Sequence, residues 1–102
     1  CIEKEFAVSL KSYAGQTVYT CDIIGALTSY KVENKVIDIF FNRITKPDSN
    51  SLLLFNYNYF SKHFKVQNPM LNWSFLNENH QLKIISSYPD GWELYAIDAN
   101  PN

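Results

Sequence analysis

Apolar residues recur at every second position over much of this chain, and that repeat limits its fold more than any other feature. A period of two belongs to extended backbone, whose successive side chains point to opposite faces of a sheet. Phe6, Val8 and Leu10 alternate with Ala7, Ser9 and Lys11. Residues 17–24 are rich in β-branched types and follow a turn-like stretch, Tyr13-Ala14-Gly15-Gln16. Within 36–44, Ile37, Ile39 and Phe41 share one side, and Val36, Asp38, Phe40 and Asn42 the other. Residues 51–60 bring Leu53, Phe55, Tyr57 and Tyr59 to one face, and 64–67 and 73–76 are shorter candidates around Asn68-Pro69.

Turn chemistry separates these segments. In Lys46-Pro47-Asp48-Ser49-Asn50 the proline presets φ, and Asp and Asn bond their own backbone. The clearest local prediction is a hairpin of 82–88 with 92–98 about Pro89-Asp90-Gly91. Pro and Asp suit the centre of a type I turn, and Gly91 supplies the left-handed residue that completes a three-residue loop. That register sets Tyr88 opposite Trp92, Ser86 opposite Leu94 and Ile84 opposite Ala96. Helix signals are weak: 22–27 is short and interrupted by Gly25, and 70–76 allows one turn after Pro69.

About seven short strands at regular spacing predict an all-β fold, a single-domain antiparallel β-sandwich of Ig-like or Greek-key type over residues 1–102. A small β-barrel is the alternative. The 46% hydrophobic and 16% aromatic content excludes disorder. Nine basic residues against ten acidic ones give a net charge of −1. A nucleic-acid binder concentrates a basic excess in one stripe, and the scattered lysines here argue against that partner. No apolar run approaches the ~20 residues that span a bilayer.

The two cysteines, Cys1 and Cys21, set the expected compartment. A first-position cysteine reads as a lipidated anchor or as half of a disulfide, and both point outside the cytoplasm. A tight first hairpin would place Cys21 opposite Ala7 or Val8, about 20 Å from Cys1 at ~3.3 Å per residue. A disulfide needs Cα atoms about 4.4–6.8 Å apart, so the bridge requires the first two strands to enter different sheets. We expect that arrangement, with Cys1 joined to Cys21 in a periplasmic or secreted protein. The alternative is a lipoprotein with a lipidated Cys1 and an inert, buried Cys21 thiol. Lipidation of Cys1 is then the only expected link to a membrane.

Signatures of a reaction are missing. His63 and His80 have no metal-ligand spacing and read as solvated loop histidines. No nucleophile elbow or HExxH occurs, and Asp22 beside Cys21 would raise rather than lower the thiol pKa. The carboxylates show no paired spacing, and three glycines make no phosphate loop. No enzyme activity, metal or cofactor is expected. Asn72-Trp73-Ser74 matches the glycosylation sequon, which in a secreted eukaryotic protein predicts a surface loop.

What remains is binding. Tyr57, Tyr59, Trp73, Tyr88 and Trp92 are the candidate binding residues, although aromatics of this kind more often fill a core. Residues 2–11 read as an edge or donor strand whose charges guard against pairing. The expected function is therefore protein binding by a small extracytoplasmic domain, such as an inhibitor, immunity factor or assembly subunit. A carbohydrate-binding module is the alternative, and it predicts a coplanar pair among the five aromatics.

Overall fold

Ile2, Phe6 and Leu10 lie four residues apart, a spacing that a two-residue repeat and a 3.6-residue repeat both accept. The computed structural model, which describes all 102 residues, resolves the ambiguity in favour of a helix, α1 (Ile2–Leu10). Phe6, Ala7 and Leu10 are buried on one side, whereas Val8 is 55% exposed. Glu3 and Glu5 stand in the first turn, where the helix dipole favours negative charge. The segment is neither an edge strand nor a donor strand.

The remaining elements are β1 (Val18–Thr20), α2 (Ile24–Ser29), β2 (Val36–Asp38), β3 (Ser51–Asn56), α3 (Tyr57–His63), α4 (Asn68–Asn79), β4 (Gln81–Ser87) and β5 (Trp92–Asp98). They form one five-stranded sheet in the order β2-β1-β3-β5-β4. β1 runs parallel to both β2 and β3, and β5 lies antiparallel between β3 and β4. The expected all-β sandwich, and the barrel with it, is thus replaced by a mixed α/β fold that is 39% helical.

Both sheet faces are covered, which explains why alternation misled. Trp73 of α4 stacks on Phe55 and meets Tyr95, so α4 lies over the face carrying Leu53, Phe55 and Tyr95. Phe6 of α1 meets Trp92, which pairs with Asn56 and so belongs to the opposite face. All six residues of β3 are buried. A strand covered on both faces reads as a continuous apolar run rather than as apolar-in, polar-out. The expected strand over 51–60 ends at Asn56, and 73–76 lies within α4.

The hairpin forms where the turn residues place it, with Tyr88 N donating to Trp92 O at 2.9 Å and Ser86 opposite Leu94. Beyond that a bulge at Ile85 shifts the ladder by one, so Ile84 faces Tyr95 instead of Ala96. Asp90 shares the left-handed region with Gly91, at φ 65° and 89°. A Cβ on Gly91 would lie 3.0 Å from both Asn56 Oδ1 and Asn58 Nδ2. Shape and backbone angle therefore both demand glycine there.

Asn72 is fully buried and holds α4 to the loop that follows β2. Its Nδ2 donates to Ile39 O (3.0 Å) and Asn42 O (2.8 Å), and its Oδ1 accepts from Ile44 N (2.8 Å). A side chain so enclosed cannot carry a glycan in the folded protein, so the sequon marks a clamp rather than a surface loop.

The predicted disulfide is absent: both cysteines are free, Cys1 exposed and Cys21 buried. Because α1 replaces the expected first strand, Cys1 emerges beside Tyr30 at the end of α2, its Sγ 3.2 Å from Tyr30 Oη. Cys21 enters the core before α2 begins. His80 also departs from expectation. It is buried, its Nδ1 lies 3.0 Å from Asp98 O, and it fastens the start of β4 to the end of β5.

Candidate functional site

Asn56 organises the end of the sheet where β1 and β3 finish. Its Oδ1 accepts from Tyr59 N at 3.0 Å and so caps α3, satisfying a backbone donor that the first turn leaves free. Its Nδ2 donates to Asp90 O at 2.9 Å and ties the hairpin turn to the same point. Tyr57 thereby leaves β3 at a fixed angle, half exposed beside Trp73.

Between α4, the start of α3 and the hairpin lies a groove of about 500 Å³, with walls formed by Tyr57, Trp73, Tyr88 and Tyr95 and polar groups from Asn58 and Glu93. The Trp73 ring is held from below by Phe55, 4.7 Å away and tilted only 18°. Tyr57 stands 5.5 Å from Trp73 at 54°, and Tyr95 stands 5.5 Å from it at 64°. Three rings thus enclose a wedge rather than a flat platform. Glu93 is positioned by two hydroxyl donors, Tyr95 Oη at 2.7 Å and Ser87 Oγ at 3.2 Å. Burial first, and then the hydrogen bond and charge of Glu93, raise the Tyr95 pKa well above its ordinary value. Tyr95 therefore stays a neutral donor at any physiological pH.

Tyr88 closes one end, its ring edge-on to Phe6 at 4.8 Å. Its hydroxyl oxygen is buried and has no partner in the chain. Such orphans are uncommon in native structures.

A second hollow of about 510 Å³ opens on the other side of Trp92, edged by Glu3, Asp22, Asn56, Tyr59, His63 and Asp90. It lies beyond the carboxyl ends of the parallel strands β1 and β3, the place where open α/β sheets usually bind ligands. Asp22 takes a left-handed φ of 74° there. His63 is exposed and stacks on Tyr59 at 4.1 Å instead of meeting a carboxylate. No three His, Cys, Asp or Glu side chains converge in a metal-binding group anywhere in the chain. Cys21 is unsuited to nucleophilic chemistry, since burial, followed by the Asp38 and Asp22 charges, pushes its thiol up to about 12.

Of the five aromatic candidates, the structure brings Tyr57, Trp73, Tyr88 and Trp92 to the groove and leaves Tyr59 at the neighbouring hollow. Trp92 is buried against Phe6 and Phe60 and presents little surface. Tyr57 and Trp73 are not coplanar. Sequence reasoning overlooked Asn56, Asn58, Glu93 and Tyr95. Asn56 carried a usable signal, an Asn three residues before the amide it caps. Glu93 and Tyr95 lie in the predicted hairpin, but only the pairing of Glu93 with Phe55 reveals which face they take.

A scan against family models, a search of curated proteins and a search of solved structures each return no match to this chain. Its function must be argued from the groove itself.

Proposed function

We propose that this domain acts by binding a protein partner, with the Tyr57–Trp73–Tyr95 groove as the recognition surface. The wedge geometry carries this reading. Rings inclined at 54° and 64° around a supported tryptophan suit one apolar side chain of a partner, inserted end-on. A sugar ring instead favours a flat aromatic face, and one face of Trp73 is already occupied by Phe55. Tyrosine and tryptophan supply large contact area at small conformational cost, which is why they dominate interface hot spots. Asn58 and Glu93 are polar groups that a partner's backbone can satisfy at the rim.

The test is a peptide selected from a displayed library against the native chain, then synthesised and titrated by calorimetry. Tyr57→Ala is expected to weaken it about tenfold or more, because a central aromatic anchor is worth ~1.4–2 kcal/mol. Amide shifts should cluster at 57–58, 73, 87–88 and 91–95. Selected peptides that map elsewhere and ignore Tyr57→Ala would contradict the reading. Neutral oligosaccharides that bind and are lost with Tyr57 would replace it with the carbohydrate alternative.

A further inference from the structure

The Tyr57–Trp73–Tyr95 groove carries one formal charge, the Glu93 carboxylate, and no lysine, arginine or histidine lines it. Strand register fixes where that charge stands. Glu93 lies across from Phe55 in the β3–β5 ladder, and Trp73 stacks on Phe55, so the carboxylate borders the tryptophan. The cations on the adjoining elements turn elsewhere. Lys83 of β4 pairs with Ala96 and therefore takes the sheet face opposite Glu93 and Tyr95. Lys4 of α1 lines a separate hollow between α1 and the end of β4, in company with Glu5. Lys62 and His63 of α3 line the hollow on the other side of Trp92, together with Glu3, Asp22 and Asp90. The helix α4 has no basic residue.

The acceptor geometry of the carboxylate narrows the partner further. Oε1 accepts from Tyr95 Oη at 2.7 Å and Oε2 from Ser87 Oγ at 3.2 Å. An ionised carboxylate has about four lone-pair sites, two on each oxygen, so one stays open on each. Two open sites side by side match the paired N–H donors of a guanidinium, whereas an ammonium is a point charge. The rings suit the same side chain. Guanidinium planes stack on aromatic faces, and Tyr57, 47% exposed, and half-buried Trp73 offer such faces. The aliphatic stem of the side chain supplies the apolar part that the inclined rings accept.

We infer that the groove selects an arginine of its protein partner, with the guanidinium bidentate on Glu93 and the stem lying against Tyr57 and Trp73. The inference rests on the recognition role proposed for the groove and specifies which residue enters it. Glu93 is itself half-buried, so the pair forms partly out of water and is screened less by salt than an exposed one.

The experiment is peptide display against the native chain from two libraries, one fully random and one lacking arginine and lysine. Peptides that map to the groove by amide shifts are expected from the first library, with an arginine in common. Citrulline in place of that arginine keeps its shape without its charge, and should weaken binding about tenfold or more by calorimetry. Lysine there should restore only part of the loss. Glu93→Gln, which keeps an acceptor for Tyr95, should bind the arginine and citrulline peptides equally. Groove binders from the cation-free library that match the arginine peptides in affinity overturn the inference and leave the recognition role standing. An arginine peptide that tolerates citrulline, or whose lysine form binds as tightly, does the same. If neither library yields a peptide that maps to the groove, the recognition role falls and the inference falls with it.

Discussion

Asn72→Ala is expected to destabilise the fold by about 3–5 kcal/mol, the largest effect of any single polar substitution in this chain. The change removes three hydrogen bonds at once and leaves one backbone N–H and two carbonyls without partners in a buried site. Each such orphan costs about 1–3 kcal/mol, partly relieved as the loop opens to water. Asn72→Asp is the sharper version of the test. It keeps size and the acceptor facing Ile44 N but turns two donors into acceptors aimed at the Ile39 and Asn42 carbonyls. If the clamp is assigned correctly, the aspartate variant is at least as unstable as the alanine variant in urea. An aspartate variant of native stability would show that Asn72 does not hold the loop.

Stability is also expected to drop steeply at high pH. The Cys21 thiol is raised from its ordinary 9.0 to about 12, mainly by burial and further by Asp38 and Asp22. The folded state thus binds a proton that the unfolded state has released between those values. Stability from this group is complete below pH 9.0 and lost as pH climbs toward 12. The slope is about 1.4 kcal/mol per pH unit while only the unfolded thiol ionises. Tyr95 and Tyr19, both raised chiefly by burial, steepen the decline once pH passes their ordinary 10.0. Urea midpoints should therefore be flat from neutral pH to about 8.5 and fall thereafter. Cys21→Ala should be less stable at neutral pH, through the cavity it leaves, yet lose less between about pH 9 and 11. Parallel declines in the two proteins would show that Cys21 is not a source of the alkaline sensitivity.

The parts of the fold that were legible in the sequence are those decided by local chemistry. Pro89-Asp90-Gly91 located the hairpin, and Gly91 is left-handed as expected, but Asp90 is left-handed too, so the turn is not the type I turn expected. Its inner register followed; the outer register did not, since nothing in the sequence announces a bulge at Ile85. Elsewhere the two-residue repeat was an unreliable guide. Val8 completed an alternation through Phe6 and Leu10, but the helix leaves it in solvent. Tyr57 and Tyr59 continued the Leu53–Phe55 stripe, but the chain turns at Asn56, whose amide side chain is occupied in capping. The parallel pairing of β1 with β2 and β3 comes from α2, which leads to β2 on one side of β1, and a long loop that carries the chain back to β3 on the other, and such long-range events leave no short motif. The groove was half visible as a list of aromatics. Its polar members depended on cross-strand pairing, and the Cys1–Cys21 bridge failed because it presupposed a first strand that is a helix.

Interstrand NOEs from β1 test the architecture most directly. Val18 and Tyr19 are expected to contact Val36 and Ile37 on one side and Leu52 and Leu53 on the other, both in parallel register, while residues 2–10 show successive amide–amide contacts. Antiparallel contacts joining 6–10 to 17–22 would mean a first hairpin in place of α1. The sheet order, the two helical layers and the proposed recognition groove would then be wrong.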